Sequence, residues 1–176
     1  EEEQIEVSTN WGSLLRPQFL LFYALIFFIV FSEQIFNSWL PTFYKNNLKT
    51  DSFFALQSSA FLAFFSFCGR LLASKITQKT PPLKYFYFCL SVSIILLLIA
   101  HFLGYHAKEN ISLLVTLFPL VGMFLAPLYP LLNSKFLSQY SEKAVGRIVS
   151  AIILSTSLGG SIGSISTSYL FQKNLG

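Results

Sequence analysis

The sequence predicts an all-α integral membrane protein with five transmembrane helices. Of its 176 residues, 53% are hydrophobic and only 11% are charged, which is less than half of the roughly 25% typical of soluble domains. The charged residues are also clustered, so that five long stretches carry almost none of them. These two observations exclude a soluble domain and a disordered chain, and they make lipid the expected solvent.

Each of the five stretches is long enough to cross a bilayer. A hydrocarbon core of ~30 Å requires about 20 helical residues. Backbone amides in lipid must be paired within their own segment, which favours helices over isolated strands. We therefore predict helices at residues 17–39, 53–72, 85–103, 111–132 and 148–171.

The charges outside the spans predict the orientation of the chain. Eight Lys and Arg residues flank the spans on one side and four on the other, and the positive-inside rule places the richer side in the cytoplasm. The N-terminus is thus expected inside the cell, with residues 1–16 as a cytoplasmic connector and the spans in the inner or plasma membrane. Several aromatic residues lie near predicted helix ends, as in an interfacial aromatic belt: Tyr44, Tyr85, Tyr87, Tyr105, Tyr140, Tyr169 and Trp39.

Two further expectations follow from the spans and the charges. An odd number of spans and a start without Met favour a fragment of a longer protein. The net charge of +4 is explained by the topology, so no nucleic-acid partner is predicted.

The first span contains Glu33, the one acidic residue within the five predicted spans. Asn37 follows one helical turn later and Gln34 lies beside it. A carboxyl group in the membrane can bind and release a proton as its access to water changes. We interpret Glu33 as a proton carrier or an acceptor for a sugar hydroxyl. The alternative is that Glu33 pairs structurally with a residue in a part of the protein outside this sequence.

The next two spans differ in polar content. In the second span, Gln57 is a candidate for a polar wall, whereas the neighbouring serines can bond to their own preceding turn. The third span carries no Asp, Glu, Lys or Arg.

The fourth span contains three prolines, Pro119, Pro127 and Pro130. Prolines free backbone carbonyls and bend or break a helix. Irregular backbone at membrane depth is tolerated mainly where it is buried in protein or lines a cavity. Tyr129 and Asn133 accompany the distortion, so the span is either part of a transport pathway or a static kink that improves packing.

The fifth span carries small residues at four-residue spacing: Ser155, Gly159, Gly163 and Thr167, with Gly160 adjacent. Such a face permits the close approach of another helix. Helix packing is the favoured interpretation of Gly159, Gly160 and Gly163. A sliding contact in a conformational cycle is the alternative.

The sequence gives little support for an enzyme. It contains no nucleotide-binding glycine loop and no nucleophile elbow. His101 and His106 have no partner at metal-ligand spacing. We therefore predict no catalytic residue, no metal and no cofactor.

Four motifs follow one another along the chain: the run from Glu33 to Tyr44 (EQIFNSWLPTFY), the pair Gly69-Arg70 that is expected to open a basic loop, the proline-rich fourth span, and the pair Gly146-Arg147 before the glycine-rich fifth span. In this order they resemble the C-terminal half of a major facilitator superfamily transporter. The fucose-permease-like branch of sugar and proton symporters is the most similar, because its members often carry a Glu six residues before a Trp. Glu33 and Trp39 form that pair here.

The resemblance implies a fold and a function. Residues 17–176 would be the C-terminal transmembrane half-domain, with helices seven to eleven of a six-helix half-bundle and the last helix absent. The partners would be the lipid bilayer, the N-terminal half-bundle of the same protein, a small solute and a proton. Proton or solute contacts would come from Glu33, Gln34, Asn37, Trp39, Gln57, Tyr129 and Asn133.

Arg70 and Arg147 would contribute to a cytoplasmic gate in such a transporter. However, Ala73 stands where the family commonly has an acidic residue, which weakens the analogy to the family's charged gate. Arg70 can instead contact free carbonyls at a helix end or extend to lipid phosphate.

Two other functions compete with the sugar symporter. A drug or metabolite exporter of the same superfamily predicts a more apolar cavity. A receptor or assembly protein that does not transport predicts that Glu33 and Asn37 can be replaced without loss of function.

Overall fold

The computed structural model describes residues 15–46, 52–104 and 111–174. Its helices are α1 (Pro17–Asn46), α2 (Ser52–Ile76), α3 (Pro82–Gly104), α4 (Ile111–Leu125), α5 (Leu128–Leu137) and α6 (Glu142–Asn174). Since α4 and α5 together form one interrupted span, the described chain has five segments long and apolar enough to cross a membrane. The predicted all-α membrane fold is confirmed. Residues 1–14 of the expected connector lie outside the described residues.

Two helices extend well beyond the predicted ends. α1 continues to Asn46 and not to residue 39, although Pro41 lies within it, and α6 begins at Glu142, six residues before the predicted start. Hydropathy marks only the part of a helix in the membrane core, whereas backbone pairing continues through polar residues beyond it. A proline costs one hydrogen bond and bends a helix without having to end it.

The fourth span is interrupted where its prolines predict. α4 ends at Leu125 and α5 begins at Leu128, with Ala126 and Pro127 between them. The span then continues to Leu137, five residues past the predicted end. Pro119 lies inside α4.

One compact unit comprises Phe36–Leu131. In it, α4 packs against both α2 and α3. Gly69 of α2 lies so close to α4 that a Cβ at this position would collide with the carbonyl oxygen of Met123. The core side chains are large and apolar: Phe36, Leu40, Tyr44, Leu62, Leu114, Phe118 and Val121, with Ala100.

The other compact unit comprises Glu1–Ile35 and Leu132–Gly176. Within its described residues, α1 and α6 approach each other closely at two glycines. A Cβ on Gly159 would lie 2.7 Å from the carbonyl oxygen of Phe27, and one on Gly163 would lie 3.0 Å from that of Phe31. A Cβ on Gly160 would meet no atom within 4 Å among the described residues. The tight contact is therefore made by the residues spaced four apart.

An aromatic cluster joins α1 to α5 in the same unit. The rings of Phe22 and Phe136 are stacked with centroids 3.6 Å apart, and Phe19 lies 5.4 Å from Tyr140. Tyr140 is buried in this cluster, and Tyr44 is buried in the core of the other unit. These two of the seven residues predicted for an interfacial belt therefore pack inside the protein, because their rings contact other aromatic side chains. Tyr105 of the same prediction lies outside the described residues.

Candidate solute and proton site

Glu33 is half-buried in the middle of α1. It lies three or four residues from Ile29 and Phe36, both of which are buried, so it shares their face of the helix. Across the described spans it is the one acidic side chain. A carboxyl group on an apolar helix face within the membrane is costly and is a functional candidate for that reason.

Gln34 connects α1 to α6. Its side-chain Nε2 donates a hydrogen bond to Ser164 Oγ at 3.1 Å. A Cβ on the adjacent Gly163 would lie 3.2 Å from the Cβ of Gln34, so the glycine makes room for this approach. The amide group of Gln34 is therefore fixed in direction by the contact between the two helices.

Asn37 lies one turn beyond Glu33 on α1 and is exposed. An exposed carboxamide at membrane depth is unfavourable against lipid tails. The side of α1 that carries Asn37 is therefore expected to face water or another part of the protein.

Trp39 lines a cavity of about 650 Å³ in the unit Phe36–Leu131. The Trp39 ring is stacked on Phe43 with centroids 4.3 Å apart and meets the edge of Phe118 at 5.3 Å. The volume is in the range of small-molecule sites. Most of the lining is apolar or aromatic: Phe36, Trp39, Phe43, Leu97, Ala100, His101 and Phe118.

The other predicted polar residues lie on α2 and α5. Gln57 and Tyr129 are half-buried, and Tyr129 is in the first turn of α5. Asn133 follows one turn later, and its Oδ1 is buried without a hydrogen-bond partner among the described residues. A buried acceptor of this kind is costly unless a donor reaches it, which makes Asn133 a candidate for binding a hydroxyl group.

The predicted polar residues are distributed over both compact units. Glu33, Gln34 and Asn133 belong to one unit. Asn37, Trp39, Gln57 and Tyr129 belong to the other.

The two predicted gate arginines both lie on helices. Arg70 does not open a loop as expected, because α2 continues to Ile76 and the connection follows at residues 77–81. Its Nε donates to the carbonyl oxygen of Ala126 at 3.3 Å, so of the two interpretations of Arg70 the carbonyl contact is observed. Arg147 is half-buried near the start of α6.

Sequence reasoning missed several residues that the structure brings into these surroundings. Phe118 and His101 line the cavity beside Trp39, and Tyr44 donates to the carbonyl oxygen of Val115 at 2.8 Å. Tyr44 lies four residues after the buried Leu40, and this spacing could have indicated an inward orientation. Phe118 gave no such signal, because it is one of twenty phenylalanines in an apolar chain.

The described residues contain no group of three or more His, Cys, Asp or Glu side chains that could hold a metal ion. What the structure offers instead is a carboxyl group, several carboxamides and an interrupted helix, all within segments that can cross a bilayer. These are features of membrane transporters.

Comparison with known proteins identifies the family. The profile of the major facilitator superfamily matches residues 1–164, and the chain belongs to this superfamily of membrane transporters. A Helicobacter pylori protein named as a glucose/galactose transporter is 32% identical in an alignment 160 residues long that covers 86% of this chain. The chain spans 37% of the length of that relative. No solved structure matches the chain.

Proposed function

We propose that the full-length protein is a secondary active transporter that carries a small polar solute, a sugar, across the membrane together with a proton. Membership of the superfamily supports transport, and the name of the Helicobacter pylori relative supports a hexose as the solute. Residues 17–176 would act as the C-terminal half-bundle, helices seven to eleven, with the N-terminus in the cytoplasm. The N-terminal half-bundle would complete the solute site.

The observation that carries the proton coupling is the position of Glu33 on the apolar face of α1. In its protonated form the side chain is neutral and tolerates apolar surroundings; in its ionised form it requires water. A conformational change that alters the access of water to Glu33 therefore also alters its affinity for a proton. Coupling follows if the proton and the solute both favour one of the two conformations.

The carboxamides and the aromatic residues provide the chemistry for a sugar. Gln34, Asn37, Gln57 and Asn133 can donate hydrogen bonds to hydroxyl groups and accept them. Trp39 offers an aromatic face, and Tyr129 offers a ring with a hydroxyl group. Arg70 and Arg147 would lie on the cytoplasmic side and contribute to the gate there.

The test is uptake by proteoliposomes that contain the full-length protein, with labelled D-glucose and D-galactose as solutes. An inward pH gradient should drive accumulation in the wild type. Glu33→Gln should abolish accumulation and preserve exchange of labelled for unlabelled sugar, because the amide cannot release a proton. Ser32→Ala is the matched control, since Ser32 is exposed and bonds to the Phe28 carbonyl of its own helix; it should retain both activities.

Two results would contradict different parts of the proposal. Accumulation that persists in Glu33→Gln removes Glu33 as the coupling residue. If the wild type moves neither hexose, the assignment of a sugar is wrong, whatever the role of Glu33.

The cavity around Trp39 favours a second candidate function, export of apolar compounds. Its lining is mostly aromatic and aliphatic, and His101 and the indole nitrogen of Trp39 are its polar side-chain groups. A hexose requires more hydrogen-bond partners than these two side chains supply. Efflux of ethidium from loaded proteoliposomes, reduced by Trp39→Ala, would support export; ethidium retention together with hexose uptake would exclude it.

A further inference from the structure

The three prolines of the fourth span each leave a particular carbonyl oxygen without its helical partner. A proline has no amide hydrogen, so the carbonyl four residues earlier loses its hydrogen bond. Pro119, Pro127 and Pro130 therefore free the carbonyl oxygens of Val115, Met123 and Ala126, respectively. In apolar surroundings such carbonyls are unfavourable unless another group approaches them.

Two of these three oxygens accept a hydrogen bond from a neighbouring helix. Tyr44 of α1, only 1% exposed, donates its hydroxyl to Val115 at 2.8 Å. Arg70 of α2 donates Nε to Ala126 at 3.3 Å. Each donor therefore reaches an oxygen that a proline has freed.

The third freed oxygen is met by a glycine. A Cβ on Gly69 would collide with the Met123 oxygen, so only the hydrogens of a glycine fit there. All three carbonyls freed by prolines are thus met from α1 or α2.

A fourth side-chain contact, to a carbonyl of α4 that has its helical partner, differs from the contacts to the carbonyls freed by prolines. Ser66 Oγ lies 3.4 Å from the carbonyl oxygen of Gly122, but that oxygen already accepts the amide hydrogen of Ala126 at 3.0 Å. Ser66 therefore adds a second donor to a carbonyl that is already paired. Tyr44 and Arg70, in contrast, replace the backbone amide donors that Pro119 and Pro130 lack.

We propose that Tyr44 and Arg70 are positioning residues that hold the interrupted fourth span in its bent form by taking over the carbonyls freed by Pro119 and Pro130. By binding the carbonyl oxygen of Ala126, Arg70 keeps the helix interrupted at Ala126 and Pro127. This interruption sets the direction in which the Tyr129 side chain, in the first turn of α5, points. This last step rests on the proposed function, in which Tyr129 contacts the solute.

The test combines each donor variant with the proline that creates its acceptor, in the full-length protein in detergent. Tyr44→Phe should lower the melting temperature by about 2–4 °C. In a Pro119→Ala background the same change should have little effect, because the amide of residue 119 can then pair with Val115 itself. Arg70→Met should likewise be relieved by Pro130→Ala.

The matched controls combine a donor variant with the proline variant that does not affect its acceptor. Pro130→Ala should not relieve Tyr44→Phe, and Ser66→Ala should leave the melting temperature nearly unchanged. If Tyr44→Phe is equally harmful with and without Pro119, or if one proline variant relieves both donor variants, the proposed pairing is wrong. Melting requires no substrate, so this result is independent of whether the protein transports hexoses.

The role of Arg70 in positioning Tyr129 has its own measurement. In proteoliposomes that take up labelled D-galactose, Arg70→Met should raise KM several-fold, whereas Ser66→Ala should leave KM unchanged. An unchanged KM in Arg70→Met would exclude the effect on Tyr129, even if the melting results establish the carbonyl pairing.

Discussion

At the scale of single residues, polar side chains within the described spans find partners in two ways. Serine and threonine hydroxyls bond to their own helix: Ser32 to the Phe28 carbonyl, Ser150 to that of Gly146 and Thr167 to that of Gly163. Longer side chains reach a different helix, as Gln34 does to Ser164. The first behaviour can be predicted from sequence, because it depends only on local geometry. The second cannot, because it depends on which helices are neighbours.

The bond between Gln34 and Ser164 should contribute measurably to stability. Ser164→Ala removes the acceptor and should lower the free energy of unfolding by about 0.6–1.5 kcal/mol, the range for hydrogen bonds between membrane helices. Ser161→Ala on the same helix is the control, because Ser161 is exposed. Urea or SDS unfolding of the purified protein would compare the two. An equal loss of unfolding free energy in both variants would mean that the hydrogen bond between Gln34 and Ser164 does not stabilise the protein.

Tyr140 lies between the spans, and its burial predicts a pH dependence. Burial raises the pKa of the Tyr140 hydroxyl above its ordinary value of 10.0. Since the folded state holds the proton more tightly, the stabilisation is complete below pH ~10 and is lost as pH rises through the folded-state pKa. Tyr140→Phe should therefore flatten the alkaline decline of the melting temperature. Identical declines in the wild type and the variant would contradict this.

At the scale of elements, each compact unit contains one helix pair that approaches through glycine. In one unit Gly159 and Gly163 let α6 contact the backbone of α1; in the other Gly69 lets α2 contact the backbone of α4. Without a hydrophobic driving force between helices in lipid, such close backbone contact is a principal source of association. The two glycines of α6 were recognisable by their four-residue spacing. Gly69 was noticed only as part of a Gly-Arg motif, because it is a single residue.

Adjacent glycines of α6 should respond to alanine in opposite directions. Gly159→Ala places a methyl group 2.7 Å from the Phe27 carbonyl, and overpacking of this kind costs about 1–3 kcal/mol. Gly160→Ala meets no described atom within 4 Å and should be neutral or stabilise the helix by up to about 1 kcal/mol. Unfolding of both variants under the same conditions measures the difference. Equal effects would show that α1 does not constrain α6 at this position.

The helices themselves could be predicted because the bilayer sets their length. The apolar stretches predicted all five spans, and the prolines predicted the interruption of the fourth span. The ends of α1 and α6 could not be predicted in this way, because Asn46 and Glu142 stand in polar stretches of the sequence, where hydropathy carries no signal for a helix. Propensity and capping act there instead, and they are weaker than the constraint of the membrane.

At the scale of the whole molecule, the candidate site was only partly predictable. Glu33, Gln34 and Asn37 were conspicuous because polar residues are rare in an apolar span. The aromatic cavity was not, since its residues come from α1, α3 and α4 and are chemically the same as side chains that face lipid. Which phenylalanines are inside is decided by packing between distant segments, and composition contains no such information.

The alternation of the spans across the membrane gives a prediction for the whole chain. With the native cysteines replaced, Cys68 and Cys89 included, single cysteines at Gln78, Gln139 and Asn46 would each report one side of the membrane. The charge pattern predicts residues 78 and 139 on the cytoplasmic side and Asn46, the last residue of α1, on the other side.

We expect a membrane-impermeant maleimide to label Asn46→Cys in intact cells, and Gln78→Cys and Gln139→Cys only after the membrane is opened. The physical reason is the excess of Lys and Arg beside residues 78 and 139, which the positive-inside rule retains in the cytoplasm. The reverse pattern would preserve the five spans and overturn the orientation. Labelling of Asn46→Cys and Gln78→Cys from the same side would show that α2, which lies between them, does not cross the membrane. A transport pathway lined by these five spans would then be excluded, because it requires each span to cross.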